Sequence, residues 1–320
     1  MKHLFLLNPH AGTGARQEEI RARAGEVFRE EDFSLVTTQR AGHTYDLART
    51  AAASGEAVRI YACGGDGTLN EVVRGAAGFE NAAVTHIPLG TGNDFLRLFG
   101  KDSVPRFLDL AALKDGPQSS FDLMDCNGQL GLNVICAGVD ARVAADVERY
   151  KALPLVSGTG AYVLSLIVNI AKGITRDITV EVNGDKLEGC SILCVCNGRY
   201  YGGGFMPVGE AMPDDGILNV LYVPKISRLQ FLRFITRYST GRYHELPEWV
   251  IRGYSCTAVR LSAAEPITAV VDGEVVRTPV LSISLAKEKV NFFYPPGVSY
   301  LPSPDFLKFL PKSSTLPSTL

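Results

Sequence analysis

The sequence predicts an α/β N-terminal domain with a parallel sheet, followed by a β-rich, β-sandwich-like C-terminal domain. Between His3 and Phe99, apolar strand-like runs alternate with helix-favouring segments, the pattern of parallel strands joined by right-handed crossovers. From about Pro117 the texture changes to β-like runs separated by short turns. A length of 320 residues and a hydrophobic fraction of 46% supply a core for each half. The boundaries expected are 1–118 for the first domain and 119–300 for the second, with 301–320 a mobile tail repeating Pro, Ser and Thr.

The first strand is expected over 3–7, ending at Asn8-Pro9-His10-Ala11-Gly12-Thr13-Gly14, with a charged helix over 15–31. A strand over 33–37 and a helix over 44–53 follow. The β-branched run 58–63 reads as a buried central strand that breaks at Gly64-Gly65-Asp66-Gly67. Thr68 with Glu71 three residues on fits a capping box, so a helix is expected over 68–75, its free N–H groups and positive dipole end facing the loop. Such ends bind anions. The strand 83–89 ends in a third glycine loop, Gly90-Thr91-Gly92-Asn93-Asp94, before a helical 95–99. In open parallel sheets ligands sit at the carboxyl ends of the strands, so three glycine-bearing loops there point to a phosphate-rich ligand. Neither the Walker A spacing nor the dinucleotide glycine fingerprint is present.

Bulk properties narrow the function further. A net charge of −2 and a pI near 6.2 argue against a general nucleic-acid binder. The seven cysteines fall mostly in apolar strand-like runs, where a thiol acts as a small hydrophobe, as in a reducing cytosol. Cys194-Val195-Cys196 has no second pair at zinc spacing. The start of the chain shows no signal-peptide pattern, so no secretion is expected. The longest apolar stretch, 161–171, falls short of the roughly 20 residues of a spanning helix.

In the second half, β-like runs are expected over 121–126, 130–137, 178–182, 191–196, 218–223, 256–261, 267–271, 280–285 and 290–293, with helical insertions within 140–172 and 227–238. The irregular, glycine-dense pieces are Tyr200-Tyr201-Gly202-Gly203-Gly204-Phe205-Met206-Pro207 and Ala211-Met212-Pro213-Asp214-Asp215-Gly216-Ile217-Leu218. Paired carboxylates before a glycine suit either a turn or a hard cation. Val271-Asp272-Gly273-Glu274 between two β runs reads as a hairpin.

Taken together these residues resemble a family. Asn8-Pro9-x-Ala11-Gly12, Gly64-Gly65-Asp66-Gly67-Thr68-x-Asn70-Glu71, Pro88-x-Gly90-Thr91-Gly92-Asn93-Asp94-Phe95, Tyr201-Gly202-Gly203-Gly204, Pro213-Asp214-Asp215-Gly216 and Asp272-Gly273-Glu274 stand in the order seen in bacterial diacylglycerol kinases and related lipid kinases, related also to sphingosine kinases. Gly-Gly-Asp-Gly alone is shared with NAD kinases and phosphofructokinases. The resemblance implies a two-domain NAD kinase/diacylglycerol kinase-like enzyme with ATP between the domains. It implies nucleotide binding by Asn8, Pro9, His10, Ala11 and Gly12, by Gly65, Asp66, Gly67, Thr68, Leu69, Asn70 and Glu71, and by Thr38 and Thr91. It implies a structural magnesium on Asp215 and the carbonyls of Met212 and Ile217, and a general base at Glu274. Asp94 and Asp122 match acidic positions that link that metal to the phosphates. Asp66 joins Glu274 as a catalytic carboxylate. Where many relatives carry a Lys after the first glycine loop, this chain has Thr13 and then Arg16.

The activity implied is phosphoryl transfer from ATP to a lipid hydroxyl, most directly diacylglycerol to phosphatidate in phospholipid biosynthesis. The alternatives are another lipid acceptor (a sphingoid base, phosphatidylglycerol or a polyprenol), a soluble-substrate NAD kinase, or a non-catalytic nucleotide- or lipid-binding regulator. The expected partners are ATP and a lipid at the membrane surface, with no nucleic acid and a homodimer as the assembly allowed for. The expected location is the cytoplasm with transient membrane association. Residues 225–242 carry Lys225, Arg228, Arg233, Arg237 and Arg242 without an acid, and Phe231, Phe234, Ile235 and Tyr238 gather on one helical face. That apolar face suits either the headgroup layer of a membrane or the β-rich domain's core.

Overall fold

The computed structural model describes residues 1–151 and 158–302. The tail expected from 301 onward therefore lies almost wholly outside the described residues. The described residues divide into two compact units, Met1–Leu123 with Ala286–Leu301, and Met124–Leu285.

In the first unit, strands β1 (Lys2–Leu7), β2 (Phe33–Thr37), β3 (Val58–Gly64) and β4 (Ala82–Pro88) alternate with helices α1 (Gly14–Val27), α2 (His43–Ala53) and α3 (Asp66–Ala76). The strands run parallel in the order β4-β3-β1-β2, and the returning segment at Asn291 and Phe292 adds a further parallel pairing outside β4. Every residue of β4 is buried, as a central parallel strand covered on both faces must be. Phe5 and Tyr61 stack at 4.0 Å, and Phe293 meets Tyr61 edge-on at 5.1 Å. His3 Nδ1 lies 3.0 Å from the Tyr61 hydroxyl. After β4 come two 3-10 helices (Phe95–Phe99, Lys101–Leu108) and the short α4 (Leu110–Lys114). Helix α1 stops at Val27, four residues before the charged sequence suggests, because Phe28 turns to extended backbone and drops into the core.

The capping box expected at Thr68 and Glu71 does not form. Helix α3 begins two residues earlier, at Asp66, with Gly65 as its cap residue. Thr68 is buried and its hydroxyl accepts from Asn8 Nδ2 at 3.2 Å, while Glu71 Oε1 accepts the Gly42 N–H at 3.1 Å. Both side chains serve neighbouring loops, which a local pattern cannot show.

The second unit opens with β6 (Gln129–Gly131) and β7 (Val134–Gly138), preceded by the end of β5 (Gln118–Cys126), and continues through α5 (Val139–Lys151) and α6 (Gly158–Ala171). Strands β8 (Arg176–Val182), β9 (Asp185–Cys190), β10 (Ile192–Cys196) and β11 (Leu218–Val223) follow, then α7 (Arg228–Ser239), β12 (Arg252–Cys256), β13 (Ala258–Val271) and the first part of β14 (Glu274–Phe293). One antiparallel ladder runs β12-β11-β10-β7-β13, and β8 pairs with both β9 and the early half of β13. The sequence suggests separate runs at 256–261 and 267–271; Cys256 ends β12, while 258–261 and 267–271 belong to one long strand, β13, with an irregularity between Ser262 and Ile267. Pro266 lies in that gap, and a residue without an N–H cannot continue a ladder. At the irregularity β13 passes from β8 to β7, so a single strand serves both layers of the sandwich.

Ile135, Leu193, Val195, Val220 and Tyr222 pack inward against Val180, Val182, Leu261 and Ile283. The opposite face of the same strands, with Val134, Cys194, Leu221 and Val223, is covered by Val139, Val143, Phe231 and Tyr238 of the helices. Burial on both sides makes β7 and β10 unbroken apolar runs. All seven cysteines are free, buried thiols.

Candidate active site

The parallel register sets the geometry of the first unit's loops. Leu7 pairs with Cys63 and Thr37, and Gly64 with Pro88, so β1, β2, β3 and β4 end along one edge. The three glycine loops therefore open side by side at the carboxyl edge of the sheet, where open α/β proteins bind ligands.

They are pinned to one another through their backbones. Asn8 N–H donates to Cys63 O at 3.0 Å, and Leu89 and Gly90 N–H both donate to Gly64 O, at 2.9 and 3.0 Å. His86 Nε2 lies 3.0 Å from that same carbonyl, which can only accept, so Nε2 carries the hydrogen. Burial holds the His86 pKa down to about 4, keeping the ring neutral. Sequence reasoning missed His86: one histidine in an apolar strand carries no pattern. Gly90 is required by close approach, since a Cβ there would stand 2.5 Å from Gly65 Cα.

Asp66 sits at the first position of α3. Its Oδ1 accepts the Asp94 N–H at 2.7 Å, so the second loop's carboxylate organises the start of the third loop's helix. Burial raises the Asp66 pKa, opposed by backbone donors at Asp94, Phe95 and Asn93. Asn93 takes a left-handed φ of 51° and donates to Gly90 O at 2.8 Å. Asp94 lies 3.1 Å from Arg97 Nε, another residue the sequence reading did not single out, although it stands one helical turn on. Asp122 is buried with Lys289 Nζ at 2.7 Å.

In the first loop, Asn8 Oδ1 accepts the His10 N–H at 2.9 Å, and Gln17 donates to the Pro9 and Ala11 carbonyls at 3.0 and 2.9 Å. Gly12 holds a φ of 71°, and Thr13 caps α1, whose first turn carries the exposed Arg16 and no acid. Thr38 N–H donates to Leu7 O at 2.9 Å from the end of β2. Gly67 and Thr91 are exposed, whereas the Leu69 side chain is buried in the core, leaving only its backbone for a ligand. Asn70 is 2% exposed, and neither polar atom of its side chain finds a hydrogen-bond partner among the described residues. A buried amide in that state costs about 1–3 kcal/mol unless a ligand or water completes it.

The second unit holds the other expected residues. Asp272 and Gly273 form a two-residue hairpin turn with φ of 45° and 93°, joining paired Val271 and Glu274. Asp272 itself is a clamp that the sequence reading passed over. Its carboxylate accepts the N–H groups of Leu132 at 2.6 Å, Val134 at 2.8 Å and Asn133 at 3.1 Å. Glu274 is exposed beside that clamp, and its Oε2 accepts from Gln129 Nε2 at 2.8 Å. Asp215 Oδ1 accepts the Ile217 N–H at 3.0 Å within a turn closed by Gly216 at φ 72°. One carboxylate with the carbonyls of Met212 and Ile217 is a set of hard oxygen donors, the kind magnesium takes, with water completing the shell. No group of three His, Cys, Asp or Glu poised for a metal occurs among the described residues.

Comparison with known proteins matches residues 2–126 to the diacylglycerol kinase catalytic domain and residues 133–291 to the YegS C-terminal NAD kinase beta sandwich-like domain. A "Probable lipid kinase YegS-like" of Pseudomonas fluorescens is 32% identical over 235 residues, 70% of this chain and 73% of that protein. A protein of the same description from Pseudomonas aeruginosa is 33% identical over 220 residues, 67% of this chain and 70% of that one. A diacylglycerol kinase structure from Bacillus anthracis superposes with a TM-score of 0.69 at 21% identity, covering 93% of this chain and 98% of that one, a likeness of fold.

Proposed function

The chain belongs to the family of YegS-like lipid kinases with a diacylglycerol kinase catalytic domain, and from that premise we propose that it transfers the γ-phosphoryl group of ATP to the hydroxyl of a membrane lipid, diacylglycerol above all, to give phosphatidate. The enzyme is a kinase. The observation that carries the donor assignment is the edge where three glycine loops open side by side at the start of α3, whose Asn70 amide is buried without a hydrogen-bond partner among the described residues. Backbone N–H groups at the starts of α1 and α3 suit phosphate oxygens, and Arg16 supplies the cation in the first loop.

In the transfer the acceptor oxygen bonds to the γ-phosphorus as the bond to the β-bridging oxygen breaks, and ADP leaves. Glu274 takes the proton from the acceptor hydroxyl. Gln129, donating to one carboxylate oxygen, orients Glu274, and the Asp272 clamp fixes the turn that carries it. Asp66 holds the third loop in place and presents negative charge beside the nucleotide loops. Asp215 and the carbonyls of Met212 and Ile217 would hold magnesium, which supplies positive charge and rigidity to that turn when bound.

Glu274→Gln and Asp66→Asn test the assignment. Each is expected to lower turnover at least about 100-fold, with ATP affinity kept in Glu274→Gln. A near wild-type rate in either variant would remove that residue from the mechanism.

A further inference from the structure

The basic segment 225–242 forms α7, started by a capping box in which Ser227 and Gln230 exchange hydrogen bonds. The apolar face noted in the sequence is core: Phe231 and Tyr238 are each 4% exposed, and Phe234 and Ile235 pack beside them. The outward face is the unusual one. Leu229 is 80% exposed and Leu232 55%, three residues apart and therefore neighbours on one side of the helix. Arg233 lies one turn beyond Leu229 and makes no ion pair among the described residues. Arg228 donates to the carbonyls of Ile170 and Ala171 at 2.9 and 2.8 Å, bringing the end of α6 against the start of α7. One turn earlier on α6, Ile167 is 59% exposed. Trp249, 57% exposed, meets Phe234 edge-on at 6.2 Å. Four of the seven exposed large apolar side chains among the described residues thus fall on α6, α7 and the loop after them.

We propose that the outward face of α7, with Ile167, is the seat by which the protein docks on a bilayer containing anionic lipid. Leu229, Leu232 and Ile167 enter the boundary between headgroups and acyl chains, and Lys225, Arg228 and Arg233 lie among the phosphates. Charge decides the occupant: residues 225–242 hold five cations and no acid, although the whole chain is slightly acidic. Arg237 and Arg242 are drawn to Glu245, at 3.4 and 2.6 Å, which leaves Lys225, Arg228 and Arg233 as the cations for the lipid. A basic residue at an anionic surface strengthens binding by roughly fivefold, and a leucine leaving water by more than tenfold. The inference rests on the lipid-kinase reading for its purpose, and its test keeps the two apart.

The test uses the full chain with vesicles of phosphatidylcholine, with and without phosphatidylglycerol. Binding is read by co-sedimentation and by energy transfer from Trp249, the only tryptophan, to a dansylated lipid. Wild-type protein is expected to bind the anionic vesicles, less so as salt is raised. Leu229→Glu/Leu232→Glu is expected to bind at least tenfold more weakly, with an unchanged circular dichroism spectrum and undiminished phosphorylation of a dispersed short-chain lipid. Leu229→Met/Leu232→Met is expected to bind like wild type. Absent wild-type binding, or equal binding by the glutamate variant, overturns the proposal. So does a change of oligomeric state in the glutamate variant with vesicle binding intact, which would make the face a self-interface. Patch-dependent binding by a protein that phosphorylates no lipid upholds the surface and sinks the acceptor assignment; phosphorylation of dispersed lipid without vesicle binding does the reverse.

Discussion

Asp140 stands at the start of α5, partly buried. Its Oδ1 accepts the Ala141 N–H at 2.8 Å, and its Oδ2 accepts from the Tyr201 hydroxyl at 3.2 Å, which lies 3.0 Å from the Tyr238 hydroxyl. Burial lifts its pKa to about 7 against the pull of those donors. The folded value exceeds the unfolded one of 3.8, so the folded chain holds a proton that the unfolded chain has released. The stabilising contribution is full below about pH 4 and is lost as pH rises through 7. His3 and His86 act in the opposite sense, because burial depresses both to about 4 and their contribution fades as pH falls below 6.5. Asp140→Asn isolates the first effect. Its urea midpoint, compared with wild type across pH 4 to 8, should improve progressively as pH rises; a constant difference would show that Asp140 does not titrate in that window. None of this was legible in the sequence, where Asp140 is one acid ahead of a helix and its tyrosine partners lie far along the chain.

Single elements were far more legible than their junctions. β2 falls where alternation places it, and the Asp272-Gly273 turn is the hairpin its residues suggest, because a strand's period and a turn's φ are local properties. The start of α3 was misplaced because Thr68 and Glu71 are satisfied by Asn8 and Gly42, about 60 and 29 residues away in sequence. Long β13 was read as two strands for the related reason that Pro266 looks like an end when its neighbours are unknown. Contact between elements also decides what a glycine is worth. Gly90→Ala pushes a methyl group into the Gly65 backbone, which cannot yield, and is expected to cost about 1–3 kcal/mol and to weaken ATP binding. Gly14→Ala meets nothing within 4 Å and should be neutral or slightly stabilising. Urea titration and nucleotide binding on the two variants check this; equal effects would mean that the loop contact is not tight.

At the scale of the molecule, no helix among the described residues is long and apolar enough to cross a membrane. The lipid acceptor proposed for this kinase gives the exposed leucines of α7 their interest. The three glycine loops were readable in the sequence because they recur at strand ends in one alternating domain. The base proposed for the acceptor was not, since Glu274 alone reads as a strand residue. The central claim is therefore best tested by the acceptor. Purified protein is incubated with magnesium and γ-labelled ATP against diacylglycerol, a sphingoid base, phosphatidylglycerol, a polyprenol and NAD in mixed micelles, and the products are separated. Label is expected in phosphatidate from diacylglycerol, and at least about 100-fold less with Glu274→Gln. Label in NAD, or in no lipid at all, would contradict the account.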